Sequence, residues 1–140
     1  MRAVVQRVRE ARVVVDGVEC AAIGAGLCVL VGVARHDGPA EAARLAAKVA
    51  RLRVFEFERS LLDTDGSTLV VSQFTLLAET ARGNRPSYSA AAPAEQAEPL
   101  YEAVCAALRD LGVTVGTGVF SAEMVVEIVN DGPVTIVMDV

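Results

Sequence analysis

The 140-residue chain contains no tryptophan, one histidine, two tyrosines and four phenylalanines. With aromatics at 4% and hydrophobic residues at 53%, the interior must be filled by Val, Leu, Ile and Ala. His36 is the only imidazole and follows an arginine in a loop, so a serine or cysteine triad lacks its base. Clustered metal ligands are lacking too, and neither a metal nor another cofactor is expected. The three cysteines, Cys20, Cys28 and Cys105, are widely spaced among apolar residues, which suggests buried free thiols in a reducing cytoplasm. No glycine run has dinucleotide-binding spacing, because Gly24 and Gly26 precede a strand. The longest apolar stretch, Ala21 to Ala34, carries three glycines and is too short to span a membrane. A net charge of −5 argues against a broad grip on nucleic-acid backbone and against DNA as a partner, while leaving room for a local basic loop.

The residues that are present read as one α+β domain over 1–140, with two long helices laid on antiparallel or mixed sheets. Ala3–Val8, Arg12–Val15 and Val18–Cys20 form an opening meander turned at Asp16-Gly17. Leu27–Val33 is apolar on both faces and suits a covered strand. A helix starts at Pro39 and runs to about Leu52, with Ala43, Ala46, Ala47 and Ala50 on its packing face. Arg53-Val54-Phe55 and Thr68–Leu76 follow as strands. A second helix starts at Pro93-Ala94-Glu95 and ends at Gly112, and residues 113–115, 124–129 and 134–138 complete the strands.

Three segments could carry chemistry. Ser72, Gln73 and Thr75 interrupt an otherwise apolar strand, and buried polar groups require partners. At a strand end such groups, with main-chain N–H donors, could form an oxyanion wall; side-chain bonds to the helix layer are the alternative. Asn130-Asp131-Gly132-Pro133-Val134-Thr135 has the composition of a hairpin turn. The loop Arg82-Gly83-Asn84-Arg85-Pro86-Ser87-Tyr88 offers two cations and an aromatic, suited to phosphate positioning and base stacking or simply to solvent.

Together these segments resemble the D-aminoacyl-tRNA deacylase family, whose two signatures correspond to Ser72-Gln73-Phe74-Thr75-Leu76 and Asn130-Asp131-Gly132-Pro133-Val134-Thr135. The likeness covers nearly the whole chain, including residues 3–8, 52–55, 83–88 and Phe120-Ser121-Ala122-Glu123-Met124. The resemblance implies a metal-independent homodimer that hydrolyses the ester joining a D-amino acid, or glycine, to the terminal ribose of tRNA. It implies that Ser72, Gln73, Phe74 and Thr75 form the catalytic wall, and that the terminal 2′-hydroxyl assists the attacking water. It also implies that Gly132-Pro133 is a cis peptide inserted from the opposing subunit as a chirality gate. Asn130, Val134, Thr135 and Met124 would complete the substrate site, and Arg82 and Arg85 would meet the tRNA. Three departures from the family pattern bear on substrate range: a short loop Glu56-Phe57-Glu58-Arg59, Ser121 where glycine is usual, and Val125 where glutamine is common. A silent RNA-binding module and a dimeric small-molecule binder are the rival readings.

Overall fold

A computed structural model describes residues 1–140. Six strands form one mixed sheet: β1 (Arg2–Val15), β2 (Val18–Ile23), β3 (Gly26–Gly32), β4 (Ser67–Ser72), β5 (Thr114–Thr117) and β6 (Val125–Asp139). Helices α1 (Pro39–Arg51) and α2 (Ala94–Asp110) supply the two crossovers. β1 is a single 14-residue strand rather than the expected pair. One of its edges is shared, residues 2–8 pairing with β3 and 11–15 with β2, while its other edge pairs antiparallel with β6. β3, β4 and β5 run parallel, which requires the long connections that α1 and α2 provide.

Alternation along the strands divides the core. Leu27, Val29, Val31 and Val70 face the helices, where they join Leu45, Val49, Val104 and Leu108. Cys28, Leu69 and Val71 face the other way and meet Val8, Ala11, Val13 and Ile23. β3 is thus covered on both sides, as its unbroken apolar run suggested. Each fully buried Leu or Val contributes about 1.5–3 kcal/mol, so β3 and the helix pair anchor the molecule. The buried face of α1 is Ala42, Leu45, Ala46, Val49 and Ala50; Ala43 is exposed. Cys28 and Cys105 are buried and Cys20 is exposed, which corrects the third thiol. Burial pushes the Cys28 thiol up to about 11, so it stays protonated and inert at neutral pH. Asp16-Gly17 turns the β1–β2 hairpin with φ of 49° and 76°, as an Asp-Gly turn should.

Three expected elements differ. Arg53-Val54-Phe55 forms no strand; Phe55 pairs only with Arg59, closing a tight loop in which Phe57 and Glu58 adopt left-handed backbone. The Thr68–Leu76 strand stops at Ser72 and the chain winds into a 3₁₀ turn at Phe74–Leu77. The segment at 130–135 is no hairpin, because β6 continues through it. Gln6 opposes Thr135 and Val8 opposes Asn130, so residues 131–134 bulge outward from an otherwise continuous ladder. No peptide bond in the chain is cis, and the Gly132–Pro133 bond is therefore trans. A trans bond carries the strand onward on both sides of the bulge, and Gly132 at φ +120° supplies the bend.

Candidate active site

The 3₁₀ turn at the end of β4 borders a cavity of about 520 Å³. Ser72, Gln73 and Phe74 form one wall, Val33, Ala92, Ala94 and Ala97 another, and Phe120, Ser121, Ala122 and Met124 a third. The turn is fixed from beneath by Gln73 N–H, which donates to Val31 O at 2.8 Å. Gly32 makes the close packing possible: a Cβ there would lie 2.4 Å from Leu77 Cδ2 and 3.1 Å from Gln73 O. Gln73 Nε2 donates to Thr75 Oγ1, so Thr75 positions the amide from outside the cavity lining. The strand ends before this pair, so the alternation of a regular strand, which would put Gln73 and Thr75 on one face, does not apply to it.

Phe74 is 55% exposed and packs edge-on against Tyr88, with ring centroids 5.1 Å apart. Paired main-chain bonds between Glu79 and Ser87 close the loop that carries Arg82 and Arg85, both exposed. Behind the wall, Tyr101 Oη donates to Val70 O at 2.8 Å, and Gly118 N donates to the same carbonyl. Burial raises the Tyr101 hydroxyl well above its ordinary range, so it acts as a neutral strut. Sequence reasoning missed Tyr101 and Gly32. The lone tyrosine within the apolar stripe of α2 was the available signal for the first; nothing local marked the second.

Ser121 has φ +61°, in the left-handed region that favours glycine, the residue the family resemblance leads one to expect there. Ser121→Gly is expected to raise stability by about 1 kcal/mol while keeping the cavity wall, a shift of a few degrees readable in thermal melting. An unchanged or lowered Tm would mean that the serine side chain compensates for its backbone.

The second signature lies elsewhere. Asn130 Nδ2 donates to Arg7 O at 2.9 Å and to Val134 O at 3.2 Å, tying both ends of the bulge. Gln6 Nε2 donates to Thr135 Oγ1 at 3.1 Å. Arg7 fills the space under the bulge: Nε donates to Asp131 O, Nη1 donates to Val54 O, and the Asp131 carboxylate lies 3.4 Å from Nε. Gly132 and Pro133 are exposed and line no part of the cavity at Gln73. Of the expected substrate set, the structure brings Met124 to Ser72, Gln73 and Phe74 within one chain; it does not bring Asn130, Gly132, Pro133, Val134 or Thr135 there.

The fold and cavity define a small α+β protein whose pocket offers hydroxyls, an amide and main-chain donors but no titratable side chain. A family model described as D-Tyr-tRNA(Tyr) deacylase matches residues 4–139. The chain belongs to that family, and so is a hydrolase. A D-aminoacyl-tRNA deacylase of Anaeromyxobacter dehalogenans (strain 2CP-C) is 56% identical over 144 residues, covering 99% of this chain and 97% of its own. One from Beutenbergia cavernae is 55% identical over 140 residues, covering 99% of each chain, which leaves almost no room for a longer loop at Glu56–Arg59. A solved structure described as c-Myc DNA Unwinding Element Binding Protein superposes with a TM-score of 0.93 at 42% identity, covering 100% of this chain and 99% of that one. A probable eukaryotic D-amino acid tRNA deacylase, 16% identical with a TM-score of 0.87, shares the fold.

Proposed function

We propose that the cavity at Ser72–Phe74 hydrolyses the ester of D-aminoacyl-tRNA, with glycyl-tRNA as a second substrate, and releases the free amino acid and tRNA. The observation that carries this reading is a polar corner, made by Ser72, Gln73 and the 3₁₀ turn, in a cavity lined mostly by apolar residues. The first N–H groups of such a turn have no partner within it, which suits them to an oxyanion. Water attacks the ester carbonyl, and the bond to the ribose 3′-oxygen breaks. The cavity lining holds no carboxylate, imidazole, amine or thiol to take the proton. The substrate's own 2′-hydroxyl, vicinal to the ester, relays the proton, accepting it from the water and passing its own to the departing 3′-oxygen. On this reading the step needs no metal.

The second signature acts on this reading through a homodimer. β6 is a 15-residue edge strand whose Val125, Val129 and Val137 are 59%, 45% and 65% exposed. A long unpaired edge that exposes three valines is a template for association. The exposed Gly132-Pro133 bulge of one subunit then enters the cavity mouth of the other, where its main-chain carbonyls hold the α-amine and exclude an L side chain. Mixing subunits tests this. Gly32→Ala, damaged in the pocket, and Gly132→Ala, damaged in the bulge, should each be nearly inactive alone. Their heterodimer contains one intact composite site and should recover activity. Failure of any mixture to recover would confine both motifs to one chain.

The loop cations Arg82 and Arg85 make no ion pair and flank the wall through Tyr88 and Phe74. Arg85→Ala is expected to weaken binding of the acceptor end and lower the salt slope of log K by about 0.7–0.9. An unchanged slope would assign the loop to structure. No helix is long and apolar enough to cross a membrane.

A further inference from the structure

Lys48, Arg51 and Arg53 line one shallow cleft of about 500 Å³ at the C-terminal end of α1, with Ala47, Leu52 and Met138 as its apolar floor. Half of the lining is cationic and none is acidic. All three cations are exposed, and none has a carboxylate within 4 Å. Five of the 13 cations, Arg2, Arg7, Arg9, Arg12 and Arg44, are paired and eight are not; what sets Lys48, Arg51 and Arg53 apart is that they share one lining with no acid in it. The helix dipole accounts for cations in the last turn, Lys48 and Arg51, but Arg53 lies beyond the helix. The carboxylate that feels Arg53 and Arg59, Asp63, is already held by Ser60 through its N–H and its hydroxyl.

We propose that this cleft is a phosphate-binding surface for the body of the tRNA, separate from the pocket that takes the aminoacyl end. A row of unpaired cations recognises polyanionic backbone by charge, and the flat apolar floor admits a ribose edge without reading sequence. The cleft is joined to the bulge by chain continuity: Arg53 precedes Val54, whose carbonyl accepts from Arg7, and Arg7 holds Asp131 beneath Gly132. On the deacylase reading above, on which this surface rests for its substrate, the subunit that lends the bulge therefore also lends the grip on the tRNA body. An anionic ligand of another class, such as a membrane surface, would need only charge and no continuity with the bulge.

The test is a triple variant, Lys48→Ala/Arg51→Ala/Arg53→Ala, beside a charge-preserving Arg51→Lys/Arg53→Lys. Uncharged tRNA is titrated at several salt concentrations, and deacylation is followed on D-tyrosyl-tRNA and on the same amino acid esterified to a CCA trinucleotide. The surface predicts a salt slope lower by about 2–3 in the triple variant. It also predicts a tenfold or larger fall in kcat/KM on full tRNA, unchanged kcat/KM on the trinucleotide, and retained binding in the lysine variant. An unchanged slope, or equal losses on both substrates, would overturn it. So would loss of binding to phosphatidylserine vesicles with tRNA binding intact. Absence of hydrolysis by the wild-type protein on either substrate would overturn the deacylase reading instead, while the slope would still decide the surface.

Discussion

Gly32→Ala should lower kcat by 100-fold or more while leaving a folded protein. The added Cβ would sit 2.4 Å from Leu77 Cδ2, 3.1 Å from Leu76 Cβ and 3.1 Å from Gln73 O. The leucine tip can swing aside, but the Gln73 carbonyl and the Leu76 Cβ move only with the backbone, so the turn Phe74–Leu77 must shift outward. Overpacking of this kind costs about 1–3 kcal/mol, which a core anchored by β3 and two helices survives. Catalysis is less tolerant: loss of one aligned oxyanion donor costs roughly 100- to 1000-fold. Thr75→Ala removes only the support of the Gln73 amide and is expected to cost about tenfold or less. The comparison separates main-chain geometry from side-chain chemistry. If Thr75→Ala were inactive and Gly32→Ala nearly normal, a side-chain nucleophile or base would replace the turn as the centre of the site.

Gly132→Ala should be equally damaging for a different reason. A φ of +120° is accessible to glycine and essentially to no L residue, and a Cβ there would approach Arg7 Nη2 to 2.3 Å. Arg7 cannot yield freely, because the same guanidinium donates to Val54 O and Asp131 O. The bulge must therefore rebuild, displacing the carbonyls on either side of Pro133. The strain of about 1–3 kcal/mol should lower the melting temperature by several degrees without unfolding the protein, whereas kcat/KM on D-tyrosyl-tRNA should fall 100-fold or more and discrimination against the L form should narrow. A variant with native D/L selectivity would return the bulge to a purely structural role.

The two motifs were legible in the sequence as unusual residues, and their local geometry was not. Phe74-Thr75-Leu76 has strong strand propensity, yet the chain turns at Gln73 because Gly32 on the neighbouring strand leaves room for a 3₁₀ turn, a contact 41 residues away in sequence. Asn, Asp, Gly and Pro mark a reversal or a bulge equally well. Only the pairing of β1 with both halves of β6 decides for a bulge, and that pairing is long-range. The cis bond implied by resemblance fails at the same place, because the strand passes through. By contrast, the Asp16-Gly17 hairpin and the doubly covered β3 rest on short-range patterns and form as read. The third cavity wall was noticed only through resemblance, since Phe120, Ser121 and Ala122 carry no charge and no metal-binding group.

Base-free, main-chain-directed hydrolysis of a D-aminoacyl ester has a direct chemical signature. It is tested most directly by incubating the protein, after treatment with a chelator, with D-tyrosyl-tRNA and L-tyrosyl-tRNA in parallel and measuring the ester remaining. The expected result is rapid release of D-tyrosine with intact tRNA, and an L-ester that decays at its uncatalysed rate. Equal hydrolysis of both esters, no hydrolysis of either, or activity that returns only when zinc is restored would contradict it.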